Sequence, residues 1–193
     1  MHLDAEFLSP TTSIDADHPD ITALAHALTG DTPPQTVRAV FAYVRDRISH
    51  PRDTGGTAVP VTASETLHAR EGICHNQAVL LVALYRAVGI PAALRYQEVV
   101  TETGQQVLHG IATVWAPYLS ETGGFILVDP RYPENDPRHS GHEWQTRALN
   151  HPFERNLPLI HTDVPPGILR TLEAAARDSD AQGLLRDLPQ TLN

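Results

Sequence analysis

The chain has 193 residues, of which 41% are hydrophobic and 19% are charged, as expected for a globular protein with a sizeable core. Its formal net charge of -9 argues against a nucleic-acid or anionic-membrane partner, because no basic surplus is available to neutralise phosphates. The single cysteine excludes an internal disulfide and a cysteine-based zinc site.

The beginning of the chain, MHLDAEFLSP, is acidic and lacks the basic region and the apolar core of a secretory signal. No segment reaches the roughly 18 apolar residues that would indicate a membrane span. We therefore expect a cytoplasmic protein with no membrane partner. Neither a cofactor nor a metal is predicted, and the sequence does not predict an oligomeric state.

Helices are predicted in the first half of the chain. Residues 1 to 17 show no periodicity and are expected to form an extended or strand-like lead-in, followed by a short helix over residues 19 to 29. Thr32-Pro33-Pro34-Gln35 is a capping box with proline at the first helical position. Behind it, apolar residues recur on one helical face, at Val37, Val40, Phe41, Val44 and Ile48.

The next predicted helices come after a turn-rich loop over residues 50 to 61. Thr62 and Glu65 form a second capping box, which predicts a short helix that ends near Arg70. From Cys74 the run CHNQAVLLVALYRAVG is apolar on nearly every face after its first turn. A helix that is apolar all round is a buried helix, and the turn Gly89-Ile90-Pro91 ends it.

Short segments rich in β-branched and aromatic residues come next, and they predict strands over residues 92–100, 107–116 and 124–128. The turn signals ETG and SETGG separate them, and such short connections make the sheet antiparallel. A helix is predicted from about Pro166 to Arg177, and a shorter one near Leu184. The predicted fold class is therefore α+β, with helices first, then an antiparallel sheet, then an irregular tail.

Cys74 is the first candidate for chemistry. At the start of a buried helix, free backbone N–H groups and the positive end of the helix dipole stabilise a thiolate. The same N–H groups can bind the oxyanion that forms when an acyl group is attacked. Gly72 would allow a substrate backbone to approach closely. A lone cysteine is more often a packing residue, so a nucleophile requires a base and an orienting group elsewhere.

His109 and Asp129 are the candidates for these two groups. His109 lies at the beginning of one predicted strand, and Asp129 lies at the end of the next. If Trp115 pairs with Phe125 in a hairpin, Asp129 stands opposite Ile111. His109 and Asp129 are then diagonal neighbours on one face, within reach of each other. A register slip of one residue would separate them onto opposite faces.

The chain resembles the core of the transglutaminase-like superfamily over roughly residues 35 to 132. The residues that carry the resemblance are Ala63-Ser64-Glu65-Thr66-Leu67, Gly72-Ile73-Cys74, Ala78, Leu80, Leu84, Arg86, Gly89-Ile90-Pro91-Ala92, His109 and Asp129-Pro130. The resemblance implies a papain-like fold with the cysteine at the start of a buried helix packed on the antiparallel sheet. It also implies that Cys74 is the nucleophile, His109 the base and Asp129 the residue that orients the base.

Some positions depart from this family pattern. Gly110-Ile111-Ala112 come after the histidine, where the family commonly has a small, an aromatic and an acidic residue, and His50 stands where many relatives carry an aromatic. Substrate-binding and oxyanion roles are predicted for Gly72, Ile73, His50 and Trp115. His139, His142 and Glu143 form an HxxHE cluster in a proline-rich stretch, which is weak evidence for a metal site.

These observations predict a single transglutaminase-like domain over residues 1–193, with its core at about 35–132 and an irregular and helical extension over 133–193. The expected function is acyl transfer at an amide bond of a protein or peptide, through a thioester on the cysteine. Hydrolysis and transamidation remain alternatives. A second alternative is a catalytically silent module that binds a peptide or protein on the same fold.

Overall fold

Five α-helices precede the first strand in the computed structural model, which describes residues 5–120, 123–131, 144, 149–178, 180–186 and 192. They are α1 (Pro19–Ala27), α2 (Pro33–Arg47), α3 (Pro51–Thr54), α4 (Ala63–Ala69) and α5 (Cys74–Ala87). The lead-in contains a short 3-10 helix, Ala5–Phe7, and bends. The prediction of a strand-like lead-in is therefore wrong for residues 5–17, whose lack of apolar alternation gives no strand a face to bury.

The capping boxes begin α2 and α4 as predicted. The Gln35 side chain accepts a hydrogen bond from the Thr32 backbone N–H at 3.0 Å. At α4 the exchange is reciprocal, because Glu65 N–H donates to the Thr62 hydroxyl and Thr62 N–H donates to the Glu65 carboxylate. The apolar face predicted for α2 is buried, including Ile48 just after its last turn. Local sequence signals thus fix where both helices begin.

Helix α5 lies at the centre of the fold. Every residue from Cys74 to Arg86 is buried, as the all-round apolar pattern predicts. The helix packs against β1 and β2 on one side and against α1, α2 and α4 on the others. Because neighbours surround it, the polar residues of its first turn are also held in fixed positions, and these include the cysteine.

Among the described residues, the sheet has four antiparallel strands in the order β3-β2-β1-β4. Their bounds are Ala92–Val100 (β1), Gln106–Trp115 (β2), Phe125–Val128 (β3) and Arg155–Asn156 (β4). The predicted register is confirmed, since Trp115 pairs with Phe125 and Ala112 pairs with Val128. The hairpin therefore brings the beginning of β2 beside the residues that come after β3.

The strand β4 was not predicted, and it comes from the tail of the chain. It extends the sheet beyond β1, and further along the same edge Leu94 and His161 exchange backbone hydrogen bonds. Helices α6 (Pro166–Asp178) and α7 (Ala181–Arg186) come after it, as the sequence predicts. Within the described part of the chain, no helix is long and apolar enough to cross a membrane.

Arg86 joins three separate segments at the end of α5. Its side chain donates to the carbonyls of Ala92 (3.0 Å), Ser9 (2.7 Å) and Thr162 (2.9 Å). Burial lowers the pKa of Arg86 to about 10, so the guanidinium stays charged at neutral pH. The residue therefore ties the lead-in and the tail to the central helix.

We expect Arg86→Ala to lower the free energy of unfolding by about 3 to 5 kcal/mol, because three carbonyls lose a charged donor at once. The midpoint of urea unfolding, followed by circular dichroism, measures this change. Arg177→Ala, on the exposed surface of α6, is the matched control and should change stability by less than about 0.5 kcal/mol. Equal midpoints for the two variants would contradict the role given to Arg86.

Candidate active site

Cys74 is the first residue of α5 and is 8% exposed. The turn before it is held in place by Asn76, whose side-chain oxygen accepts from the Ile73 N–H at 3.0 Å while its amide donates to the Pro60 carbonyl at 2.8 Å. The backbone N–H of Cys74 begins the helix and has no carbonyl within it to bind. The position thus combines a thiol with a free donor and the positive end of the helix dipole.

His109 and Asp129 meet on one face of the sheet. The confirmed register sets Asp129 diagonally across from His109, and the His109 Nε2 lies 2.7 Å from the Asp129 Oδ2. Both side chains are buried, at 7% and 5% exposure. With Nε2 occupied by the carboxylate, the other ring nitrogen, Nδ1, is left to face the cysteine.

Cys74 and His109 shift each other's acidity. Burial raises the pKa of the Cys74 thiol, but the charge and hydrogen bond of His109 and the backbone N–H of Gly110 outweigh it, so the net pKa lies below the ordinary value. Burial lowers the pKa of His109, yet Asp129 and Cys74 raise it well above its ordinary value. Both shifts favour a thiolate beside an imidazolium, and the thiolate is the reactive form of a cysteine.

Asp129 is held by a network that the sequence did not predict. The Arg131 N–H donates to Asp129 Oδ1 at 3.0 Å, and the Asp129 N–H donates to the Trp144 carbonyl at 2.8 Å. The Arg131 side chain pairs with both oxygens of Asp53, at 2.7 and 3.0 Å. Because one carboxylate oxygen is fixed by Arg131, the other is aimed at His109.

Gly110 lies directly over the first turn of α5. A Cβ placed there would stand 2.7 Å from His75 Nδ1 and 2.9 Å from His75 Cα. The second of these contacts is to helix backbone, so no side chain can move aside to make room. The glycine directly after His109 therefore lets the first turn of α5 lie close to β2.

The oxyanion roles predicted for Gly72 and Ile73 need correction. The Gly72 N–H donates to the Ser49 carbonyl at 3.0 Å, and the Ile73 N–H is taken by Asn76. The Ile73 side chain is 1% exposed and belongs to the core. Gly72 is instead needed for packing, since a Cβ there would lie 2.6 Å from Asn76 Cβ. The Cys74 N–H, the first of the helix, is a donor that the helix itself does not use.

The structure does not bring Trp115 to the cysteine. It lies at the far end of β2, six residues from His109, which corresponds to roughly 20 Å along a strand. Its ring packs on the Phe125 ring, with the two ring centroids 5.2 Å apart. His50 is buried at the start of α3, where its Nδ1 accepts from the Arg52 N–H at 3.1 Å. It supports the turn that carries Asp53, and through it the Asp129 network.

The possible metal ligands His139, His142 and Glu143 lie outside the described residues. Across the described ranges, no group of three or more histidine, cysteine, aspartate or glutamate side chains could hold a metal ion.

A family model described as the transglutaminase-like superfamily matches residues 22–130, more than half of the chain. The chain belongs to the transglutaminase-like superfamily. The resemblance drawn from the Gly-x-Cys and Gly-Ile-Pro motifs is thereby confirmed, and so is the predicted fold class, in which the cysteine begins a buried helix packed on an antiparallel sheet. No protein of curated function matches this transglutaminase-like chain.

Solved structures resemble this chain over about two thirds of its length. The "Putative Cysteine Protease from Cytophaga hutchinsonii" is 23% identical, with a TM-score of 0.53 over 66% of this chain and 43% of that chain. The periplasmic domain of TgpA from Pseudomonas aeruginosa, bound to ethylmercury, is 22% identical, with a TM-score of 0.44 over 65% of this chain and 46% of that one. The transglutaminase-like chain thus matches less than half the length of each of these proteins.

Proposed function

We propose that this protein is a cysteine-dependent enzyme that transfers an acyl group from an amide bond of a protein or peptide. The observation that carries the proposal is the connected array of Cys74, His109 and Asp129, in which a 2.7 Å contact orients the imidazole. Membership of the superfamily and the fold shared with the "Putative Cysteine Protease from Cytophaga hutchinsonii" support it. The cytoplasmic location expected from the sequence stays a prediction.

The reaction begins with the thiolate of Cys74 and the imidazolium of His109. The sulfur attacks the carbonyl carbon, a C–S bond forms, and the carbonyl oxygen becomes an oxyanion that accepts a hydrogen bond from the Cys74 N–H. The C–N bond then breaks, and the imidazolium gives its proton to the leaving nitrogen. A thioester on Cys74 and a neutral His109 remain.

The second half returns the enzyme to its starting state. Water or an amine attacks the thioester carbon while His109 accepts one of its protons, and the C–S bond breaks to regenerate the thiolate. Asp129 keeps the ring oriented and stabilises its positive charge in both halves. Hydrolysis or transamidation then depends on which nucleophile reaches the thioester.

We test the proposal with p-nitrophenyl acetate, which reports acylation as a burst of p-nitrophenol. The native protein is expected to show a burst and a gain of one acetyl group on Cys74 by mass spectrometry. Cys74→Ala should abolish both, because the chain has no other cysteine. His68→Ala, an exposed histidine 2.7 Å from the Asp20 carboxylate, is the control and should keep the burst.

A folded native protein that shows neither burst nor acetylation would contradict the proposal. The silent peptide- or protein-binding module would then be the better description of the site.

A further inference from the structure

A row of polar side chains crosses one face of the sheet beside the candidate active site. Asn156 on β4 pairs directly with Gln97 on β1, and Gln97 pairs directly with His109 on β2. Asp129 continues the row beyond β3. Directly paired residues of neighbouring antiparallel strands lie on the same face, with Cβ atoms roughly 5 Å apart. Gln97 is therefore the immediate neighbour of His109 on the side away from Asp129.

Gln97 uses only part of its hydrogen-bonding capacity. It is 5% exposed, and its Nε2 donates to the Asn156 Oδ1 at 2.8 Å. Its Oε1 is buried and has no hydrogen-bond partner in the part of the chain that the structure describes. A buried acceptor without a hydrogen bond destabilises the fold, so its presence beside the candidate active site calls for an explanation.

His109 does not satisfy this acceptor. Its Nε2 is hydrogen-bonded to Asp129, and its other ring nitrogen serves Cys74. Since the Gln97 nitrogen is directed to β4, its oxygen does not face β4. Once Cys74 is acylated and His109 is neutral, the nitrogen that served the thiolate is free to accept a hydrogen. A base and a separate acceptor side by side then suit a molecule that brings two hydrogens, one for each of them.

We propose that Gln97 positions the second nucleophile, by accepting a hydrogen bond at Oε1 from the water or primary amine that resolves the thioester on Cys74. The proposal rests on the proposed function and assigns this residue to its deacylation half. Both nucleophiles carry at least two hydrogens, and only one is transferred during attack.

Atoms and electrons balance in this step. The oxygen or nitrogen of the nucleophile forms a bond to the thioester carbon, and its first proton passes to the free nitrogen of His109. The second hydrogen stays on the nucleophile, bonded to Gln97 Oε1. The C–S bond breaks with its electron pair on sulfur, which gives an acid or an amide and restores the thiolate and imidazolium.

The test separates acylation from deacylation with p-nitrophenyl acetate. In Gln97→Met, which keeps the volume and removes the acceptor, we expect a burst rate within about twofold of the native protein. The steady-state rate should fall by about 10- to 100-fold, the effect of losing one positioning hydrogen bond. Added glycine methyl ester, a primary amine, should raise the steady-state rate of the variant much less than that of the native protein.

Two controls distinguish this role from a structural one. Gln106→Met makes the same substitution at an exposed position of β2 and should have no effect. If Gln97→Met does not fold, Gln97→Glu retains an acceptor at this position and should keep the native burst and deacylation.

The outcomes are separable. Equal losses of burst and steady-state rate in a folded Gln97→Met, or no loss of either, would overturn the role of Gln97 while leaving the proposed function in place. A Gln97→Glu protein that keeps the burst but loses deacylation would also overturn the role of Gln97, because an acceptor is still present at this position. A native protein without any burst would overturn the proposed function and this inference with it.

Discussion

Iodoacetamide is expected to alkylate Cys74 at pH 6 at least about 100-fold faster in the native protein than in His109→Ala. Burial alone raises the pKa of the thiol, and His109 is the main reason that the net pKa is lowered. In His109→Ala the imidazolium is gone but the Cys74 thiol is still buried, so the pKa of Cys74 should rise above its ordinary value. The thiolate fraction then falls about tenfold for each pH unit below that value.

The pKa shifts of Cys74 and His109 determine how the alkylation rate depends on pH. The ion pair exists above the lowered pKa of Cys74 and below the raised pKa of His109, so the native rate should be nearly constant across neutral pH. In His109→Ala the rate should still be climbing above pH 8. The single cysteine makes the total alkylation a measure of one site.

His68→Ala controls for the loss of a histidine, since His68 lies 2.7 Å from the Asp20 carboxylate but on the exposed surface. Its profile should match that of the native protein. If His109→Ala retained rapid alkylation at pH 6, the imidazole would not be the group that activates Cys74.

Gly110→Ala should reduce acylation by p-nitrophenyl acetate by at least about 100-fold, although it adds one methyl group. The new Cβ would stand 2.9 Å from the Cα of His75, so the first turn of α5 must move away from β2. A displacement of about 1 Å at a reacting group costs roughly 100-fold in rate. The forced packing should also lower the free energy of unfolding by about 1 to 3 kcal/mol.

The matched control is Gly124→Ala, just before β3. A Cβ there would lie 3.6 Å from the Trp115 ring, an ordinary van der Waals distance, so activity and stability should stay near native values. Burst kinetics and thermal unfolding on the same samples separate the two effects. If Gly110→Ala were acylated at the native rate, α5 would be able to move away from β2 without displacing Cys74 from its reactive position.

The elements that the sequence predicted well are those determined locally. The capping boxes at Thr32 and Thr62 and the all-round apolar character of α5 depend on neighbouring residues alone. The pairing of Trp115 with Phe125 entered as a condition, because the nine residues between the two strands leave more than one register open. That register led directly to the proximity of His109 and Asp129.

The features that the sequence did not predict depend on contacts between distant positions. Asp53 and Arg131 are separated by 78 positions, and Gln97 and Asn156 by 59, so neither pair produces a local pattern. The strand β4 has only two residues, too few to show alternation. For Gly72 and Ile73, the sequence placed the backbone N–H groups near the cysteine, but their acceptors, Ser49 and Asn76, become evident only in three dimensions.

The participation of the tail in the sheet bears on where the folding unit ends. The family match stops at residue 130, yet residues 155–161 line the edge of β1, and the Thr162 carbonyl binds Arg86. A chain truncated at the family boundary would leave β1 as an open edge, which can recruit other chains and aggregate. We therefore propose that the family core and the extension unfold together as one cooperative unit, and that the smallest autonomous fragment reaches past Thr162.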